Sequence, residues 1–436
     1  EPYRRQRQMC IRDRFMSINP FELKAKKTED TFMSWNELAS RPYKKNTVDP
    51  YTKTRIILMN GTEYEAVWFG HNFSRKCDNN DIRRALAVTR RVEQQQQKRL
   101  ASLKPLNETQ LETTISYEQL AVDLTAFLAQ RATDKSFKAA LDFALLEDFD
   151  HLYRYADLLE NDMGVRAETL VGNYTEIMPG RPTIAHHRHP NDSIKRATDS
   201  KKVDLMTTLD THIITAAEQQ TMNYYMNLGA FYKNDAGRKL YTEIGMVEEQ
   251  HVSQYGSFID PNVTLLECNL MHEYTECYLY YSMYEDETDA YVKNVWEQCF
   301  NQELSHLHDA VRLLRKYENK DWQEVIPNGG VFPALIQLKS NKDYVREILA
   351  NTVSLTAKRE GFKNVADMPA NSDFFKYQRM VNGENAETVE SHCVIENYIL
   401  KKGEDYRYQT KKHPIKELQC RTKDNTKVGL TALRNA

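Results

Sequence analysis

The sequence predicts a mainly α-helical protein that is built from consecutive helical hairpins. Three segments, residues 114–160, 203–260 and 263–318, show the roughly 3.6-residue spacing of apolar side chains that is typical of amphipathic helices. Turn-forming residues interrupt each segment near its middle. With 436 residues, of which 41% are hydrophobic, the chain is long enough to bury at least one sizeable core. We therefore expect three helical hairpins in the central part of the chain.

The segment before these hairpins carries a β-hairpin signal. Arg55–Met59 and Thr62–Phe69 are rich in residues that favour strands, and Asn60-Gly61 between them is typical of a two-residue hairpin turn. Residues 81–103 follow as a polar helix with many arginines and lysines, which we interpret as a solvated face. We assign residues 16–104 to an amino-terminal region with a small β-hairpin and a basic helix, and leave the leader before it out of the fold prediction.

A long connection separates the first predicted hairpin from the second. It spans residues 161–202 and contains Pro179-Gly180-Arg181-Pro182 and three histidines, His186, His187 and His189. Connections of this length are commonly functional, for instance as the cover of a site. We predict a helical domain over residues 105–318 with this connection as its crossover. A mostly helical carboxyl-terminal region, residues 319–436, follows it.

Composition limits the classes of function. Basic and acidic residues nearly balance, 59 against 62, so no overall charge favours nucleic acid or an anionic membrane as a partner. The sequence has no run of about 18 apolar residues, so no membrane span is indicated, and we expect a cytoplasmic protein. None of the 7 cysteines forms a Cys-x-x-Cys pair, which disfavours a zinc ribbon or a rubredoxin-type centre. We expect reduced, mostly buried thiols instead.

Carboxylates and histidines recur at fixed intervals in the second and third hairpins. Both contain the motif Glu-x-x-His, which places the two side chains on one face of a helix. Another glutamate precedes each motif at the same interval, and the midpoints of the two intervals, positions 233 and 288, fall on the predicted turns. Residues equidistant from the turn of a hairpin lie at the same level, so we expect one buried cluster that holds two metal ions. Its residues are Glu218, Glu248, His251, Glu273, Glu303 and His306.

The first hairpin repeats this pattern in a degraded form. Glu118 precedes Asp148 at the interval that separates Glu218 from Glu248, and Asp148 stands three residues before His151. Two interpretations stay open: these residues supply half of the metal site, or they mark a vestigial copy of it. The ordinary alternative for all of these carboxylates is pairing with lysine or arginine near the surface.

The full pattern resembles that of rubrerythrin, within the ferritin-like superfamily. It consists of Glu218, Glu248-x-x-His251, Glu273-x-x-Glu276 and Glu303-x-x-His306. Bridging carboxylates with two histidines are the usual ligands of a two-iron or two-manganese site in such helical bundles. The resemblance covers residues 203–318 and implies a ferritin-like bundle in which the six residues named above are metal ligands. It also implies that Glu276 binds metal in one oxidation state.

The order of the hairpins departs from that of a ferritin-like bundle. Only a short passage separates His251 from Glu273, whereas a crossover of the bundle's length joins the second and third helices of the family. The long connection of this chain follows the first hairpin instead. The sequence therefore leaves open whether the first hairpin pairs with the second or with the third.

We expect redox chemistry of dioxygen or peroxide at a pair of iron or manganese ions, with Glu276 as a carboxylate that shifts during the reaction. The electron donor is not indicated, because no rubredoxin-like domain is present. Two alternatives belong to other classes: a metal-storage protein of the ferritin type, and a ferritin-like scaffold without metal. Whether the chain forms a homo-oligomer stays open.

Overall fold

The computed structural model describes residues 18–172, 174–178, 180–181 and 183–382. Within this part of the chain the protein is mainly helical, with a small antiparallel sheet of two strands. The helices are α1 (Pro50–Lys76), α2 (Asn80–Ala101), α3 (Gln110–Arg131), α4 (Lys135–Met163), α5 (Glu168–Val171), α6 (Thr183–His186), α7 (Leu205–Phe231), α8 (Asp235–Gly256), α9 (Leu265–Asp286), α10 (Ala290–Glu318), α11 (Lys342–Thr352) and α12 (Asp373–Asn382), and the strands are β1 (Leu355–Lys358) and β2 (Gly361–Asn364). Of the predicted carboxyl-terminal region, the part after Asn382 lies outside the described residues.

The long helices form four successive hairpins in the described part of the chain: α1 with α2, α3 with α4, α7 with α8, and α9 with α10. The last three confirm the predicted hairpins, and the first was not predicted. Each hairpin has a turn of three residues between its helices. The last turn residue is Asn or Asp in every case, and its side chain accepts a hydrogen bond from the first turn of the next helix. These capping residues are Asn79, Asp134, Asn234 and Asp289.

The hairpins associate as two nested pairs. In the outer hairpin pair, α1 contacts α9 and α2 contacts α10. In the inner hairpin pair, α3 contacts α7 and α4 contacts α8. The inner pair therefore lies, along the chain, between the two halves of the outer pair. Helix α1 also packs on α3 and α7, and one apolar core that includes Leu58, Leu124, Ile214 and Tyr280 runs across both pairs.

The predicted amino-terminal β-hairpin is wrong, because Arg55–Met59 and Thr62–Phe69 both lie within α1. The residues before them begin a helix rather than a strand. Asp49 is the N-cap, with its side chain accepting a hydrogen bond from the Tyr51 N–H at 2.8 Å, and Pro50 occupies the first turn. Among the described residues, the strands that do form, β1 and β2, follow α11.

Gly61 is a packing residue, not a turn residue. A Cβ atom at this position would lie 2.9 Å from Oε1 and 3.1 Å from Cβ of Gln220 on α7. The Gln220 amide in turn donates to the Ile57 carbonyl at 3.2 Å and to the Tyr117 hydroxyl at 2.8 Å. The absence of a side chain at Gly61 therefore allows α1 to approach α7 closely, and Gln220 ties both helices to α3.

The connection between α4 and α7 covers the inner pair. It contains α5, which contacts α3, and α6, which contacts α4. Arg181 and Arg188 from this connection are fully buried, as is His186. None of the helices in the described part of the chain combines the length and apolar character that a membrane crossing requires. The long segment is thus folded onto the helices, as expected for a cover.

We expect Gly61→Leu to lower the free energy of unfolding by about 1–3 kcal/mol, because the new side chain would displace Gln220 from between α1, α3 and α7. The midpoint of urea unfolding measures the effect. Gly256→Ala is the matched control, since the atom nearest to its new Cβ would be Thr215 Cγ2 at 3.8 Å. A midpoint for Gly61→Leu equal to that of the control would contradict the close approach of the helices.

Candidate metal centres

Equal turns bring four pairs of carboxylates to matching levels. In each hairpin a glutamate on the first helix precedes an acidic residue on the second at the same interval, and the midpoint of the interval lies in the three-residue turn. The two members of a pair therefore stand at the same distance from the turn. The pairs are Glu63 with Glu93, Glu118 with Asp148, Glu218 with Glu248, and Glu273 with Glu303.

The inner hairpin pair holds a buried cluster of four carboxylates and two imidazoles, which we call the inner cluster. Ligand atoms of Asp148, Glu218, Glu248 and His251 all lie within 4.8 Å of one another. Those of Glu118, His151 and Glu248 meet the same limit. Because Glu248 belongs to both groups, it stands where a carboxylate would bridge two ions.

The outer hairpin pair holds a second cluster, the outer cluster, with five carboxylates and one imidazole. Its first group consists of Glu93, Glu273, Glu303 and His306, and its second group of Glu63, Glu93 and Glu276, again within 4.8 Å. Here Glu93 is the shared carboxylate. Both clusters are built from four helices, and neither contains a residue of the other.

In the inner cluster, His251 is held from both sides. Its Nδ1 lies 3.0 Å from Glu248 Oε2 inside the cluster, and its Nε2 lies 2.7 Å from Glu147 Oε2 outside it. Arg188 Nη1 donates to both oxygens of Glu147 at 3.1 Å. A carboxylate of this kind behind a histidine fixes the orientation of the ring and the nitrogen that faces a metal.

Tyrosines occupy equivalent places beside the two clusters. Tyr225 on α7 donates its hydroxyl to Glu118, and Tyr280 on α9 donates to Glu63. Each stands seven residues after the glutamate of its own helix, the spacing that predicts a core aromatic on the same face. Both rings are fully buried. Each phenol therefore links the third helix of a pair to a carboxylate on the first.

Burial and mutual repulsion raise the pKa of several inner carboxylates. Burial is the larger cause for Glu118 and Asp148, whose pKa values lie well above the ordinary range, and neighbouring carboxylates add to it. The pKa of Glu248 is raised to about 8, again by burial first. Burial alone would lower the pKa of His251, but Asp148 and the surrounding carboxylates raise it well above its usual value. Without a cation, the inner cluster therefore retains protons.

Burial and repulsion between carboxylates also raise pKa values in the outer cluster. Burial, and then the charge of Glu93, raises the pKa of Glu273 and Glu276 well above the ordinary range. Glu93 itself differs: burial would raise its pKa, but the charge of His306 and hydrogen bonds from His306 and Glu63 lower it. The shared carboxylate is thus the one that is held ionised.

Several ligand atoms in these clusters are buried without a hydrogen-bond partner among the described residues. They include both oxygens of Glu218 and both oxygens of Glu276. A buried polar atom without a partner costs about 1–3 kcal/mol, and more when it is charged. Carboxylate oxygens and imidazole nitrogens are the ligands that iron, manganese and zinc accept. The residues present therefore fit metal ions.

The prediction of a single cluster is wrong, because the structure divides its six residues. Glu218, Glu248 and His251 lie in the inner cluster, whereas Glu273, Glu303 and His306 lie in the outer cluster, together with Glu276. Residues that stand at equal distances from their turns need not belong to hairpins that associate with each other. Helix α9 packs on α1 and α10 packs on α2, so the carboxylates of the third predicted hairpin meet those of α1 and α2.

The structure brings the residues of the first predicted hairpin into the inner cluster. Glu118, Asp148 and His151 meet Glu248 or His251 there, which is the arrangement expected if they supply half of a site. Of the two pairings that the sequence left open, the first hairpin associates with the second. His186 stacks edge-on against His151 at 5.5 Å between ring centroids, but belongs to neither cluster.

Sequence reasoning missed Glu63 and Glu93. The signal that could have found them is the interval shared by the other three pairs, with its midpoint at position 78 in the first turn. Two features concealed it. Asn60-Gly61 indicated a β-turn, and the position three residues after Glu93 holds Gln96 instead of histidine.

We expect Glu276→Gln to stabilise the chelator-treated protein by about 1–3 kcal/mol at pH 8, and by less at pH 5. Because the folded-state pKa of Glu276 lies above its unfolded value of 4.5, its cost to stability is absent below that pH and grows as the pH rises. Urea midpoints at both pH values measure the difference. Glu285→Gln, at an exposed site on the same helix, is the control. An equal gain in stability at both pH values would contradict the raised pKa of Glu276.

Comparisons of the chain with known protein families, with curated proteins and with solved structures found no match. The assignment of a function to the two clusters therefore depends on their geometry.

Proposed function

We propose that each hairpin pair is a ferritin-like four-helix bundle, and that the chain is an oxidoreductase that acts on dioxygen or peroxide at two iron or manganese ions in the inner cluster. The observation that carries the proposal is the pair of overlapping ligand groups that share Glu248. Four carboxylates with two histidines, contributed by four helices, form the donor set of two-metal carboxylate proteins.

The connectivity supports this proposal. A ferritin-like bundle consists of two hairpins that are joined by a long crossover. In the inner pair, the connection from α4 to α7 takes the place of that crossover. In the outer pair, the whole inner pair takes this place, because α3 to α8 lie between α2 and α9. The short passage from α8 to α9 then joins two different bundles, which accounts for its length.

Iron or manganese bound in the inner cluster would supply one-electron steps and a binding position for an oxygen species. The protein's own residues prepare the site. Glu147 and Arg188 hold His251 in one orientation, and Tyr225 donates a hydrogen bond to Glu118. Glu218 has no hydrogen bond to either oxygen in the described part of the chain, and its Oε2 lies 3.6 Å from Nδ1 of His251, so it would be available as a metal ligand.

The cover over the inner cluster supports redox chemistry more than storage. Arg188, Arg181 and His186 are buried between the connection and α4, where they exclude water from one side of the site. Exclusion of water strengthens electrostatic interactions inside a site and limits side reactions. A storage protein would instead require an open route for many ions and a shell of subunits.

We expect the double variant Asp148→Ala and His151→Ala to lose about two metal ions per chain, since it removes one ligand from each group of the inner cluster. Mass spectrometry of protein purified without chelators gives the metal content, and helical content is followed by circular dichroism. His71→Ala, at an exposed position on α1, is the matched control. Unchanged metal content in the double variant would mark these residues as vestigial.

Consumption of dioxygen or peroxide should fall together with that loss of metal. A variant that loses the two ions without losing activity would contradict the inner cluster as the site of chemistry. A wild-type protein that binds iron but oxidises it only stoichiometrically, with growth into larger particles, would favour the storage alternative.

We also expect metal binding to release protons, so that the affinity for metal rises with pH. Glu248, with a pKa of about 8, is protonated at pH 7 and must lose its proton to bind an ion. Below pH 7 more ligands hold protons, and the affinity falls further. Calorimetric titration in buffers of different ionisation enthalpy counts the protons. Full metal occupancy with no proton released would be incompatible with the raised pKa values.

A further inference from the structure

The first ligand groups of the two clusters correspond position by position. Each takes an acidic residue from the second helix of its hairpin pair, a glutamate from the third, and Glu-x-x-His from the fourth. The corresponding residues are Asp148 and Glu93, Glu218 and Glu273, Glu248 and Glu303, and His251 and His306. The first ligand group therefore uses equivalent helix positions in both clusters.

The second groups differ in the shared carboxylate, which is Glu248 of the fourth helix in the inner cluster and Glu93 of the second helix in the outer cluster. They also differ by an exchange of two side chains. His151 of the inner cluster corresponds to Gln96 of the outer, three residues after the acidic residue of the second helix. Thr221 on the third helix corresponds to Glu276. The Gln96 amide donates to Glu303 instead of joining the second group. The outer cluster has thus lost an imidazole on one helix and gained a carboxylate on another.

The two residues at the third-helix position, Thr221 and Glu276, have different environments in the structure. Thr221 donates its hydroxyl to the Ala217 carbonyl at 3.0 Å, so it is satisfied by its own helix. Glu276 is fully buried, groups with Glu63 and Glu93, and has no hydrogen bond to either oxygen among the described residues. The equivalent position of the inner pair holds Thr221, so a hairpin pair of this kind forms without a carboxylate there. In the described part of the chain, the nearest cationic group is His272, whose Nε2 lies 3.8 Å from Glu276 Oε1, beyond hydrogen-bond distance. Two buried carboxylate oxygens without a hydrogen bond, grouped with two other carboxylates, indicate a cation.

We propose that the outer cluster is a second dimetal centre, and that its oxygen-only position, formed by Glu63, Glu93 and Glu276, selects manganese(II). Carboxylate oxygens suit manganese, whereas imidazole raises the preference for iron and zinc. The corresponding position of the inner cluster contains His151 and therefore favours iron(II). The proposal concerns a different cluster from the one to which the oxidoreductase function is assigned.

A small cavity reaches the outer cluster. It lies between α1, α2 and α9, and its lining combines Glu93 and Glu273 of the outer cluster with Asn269, His272, Arg90 and apolar side chains such as Phe69 and Leu86. Nδ1 of His272 lies 3.2 Å from Glu65, a further carboxylate on α1.

The test compares two reciprocal exchange variants of the full chain. Gln96→His with Glu276→Thr gives the outer cluster the inner donor set, and His151→Gln with Thr221→Glu does the reverse. Chelator-treated protein is offered manganese(II) and iron(II) together without oxygen, and the bound metals are counted by mass spectrometry. The electron paramagnetic resonance signal of bound manganese(II) reports the site independently of activity.

We expect manganese to fall by about one ion per chain in the first variant, with iron replacing it, and to rise by about one in the second. Glu276→Gln, which keeps the volume of the side chain, should lose manganese and keep iron, even if an exchange variant folds poorly. Unchanged manganese in Glu276→Gln would overturn the proposal. The inner-cluster function would survive that result if the Asp148→Ala and His151→Ala variant still loses iron. A wild-type chain that binds no metal would overturn both.

Discussion

Burial of like charges at one level of the helices is the constraint on which this structure depends. Each hairpin pair carries acidic side chains inward from four helices into space that is otherwise apolar. The energetic cost is visible in the raised pKa values of Glu118, Asp148 and Glu276. Packing of apolar faces alone would be served better by leucine at these positions. Such an arrangement is understandable when a cation offsets the charge, and the geometry of the helices serves to hold its ligands.

The short turns make this arrangement precise. Three residues, ending in a capping Asn or Asp, separate the helices of every hairpin in the described part of the chain. An additional residue in one turn would rotate the following helix by about 100° relative to its partner and move its carboxylate away from the shared level. The common interval between paired carboxylates is therefore a consequence of equal turns and equal depth, and it occurs once in each of the four hairpins.

The sequence predicted local features well and the association of helices poorly. The Glu-x-x-His motifs and their intervals predicted the levels of Glu248 and His251 correctly, because helix periodicity is a local property. They could not show which hairpins associate, because that depends on contacts between residues far apart in the chain. Gly61 illustrates the second difficulty: its neighbour Gln220 lies on α7, far along the chain, and only Asn60 beside it was visible locally. For the secondary structure of residues 55–69, the helix start at Asp49-Pro50 was better local evidence than the turn signal at Asn60-Gly61.

The nested order of the hairpins links the stability of one pair to the folding of the other. Helices α2 and α9 are separated in sequence by the whole inner pair. If that segment were an unfolded loop, closing it would cost about 4–5 kcal/mol of chain entropy. Once the inner pair is folded, its two ends are held by a rigid body, and α1 finds a ready surface on α3 and α7. The outer pair is therefore stabilised by contacts with the inner pair, which lies between its two hairpins in the sequence. Loosening of the inner helices would separate the two halves of the outer cluster as well.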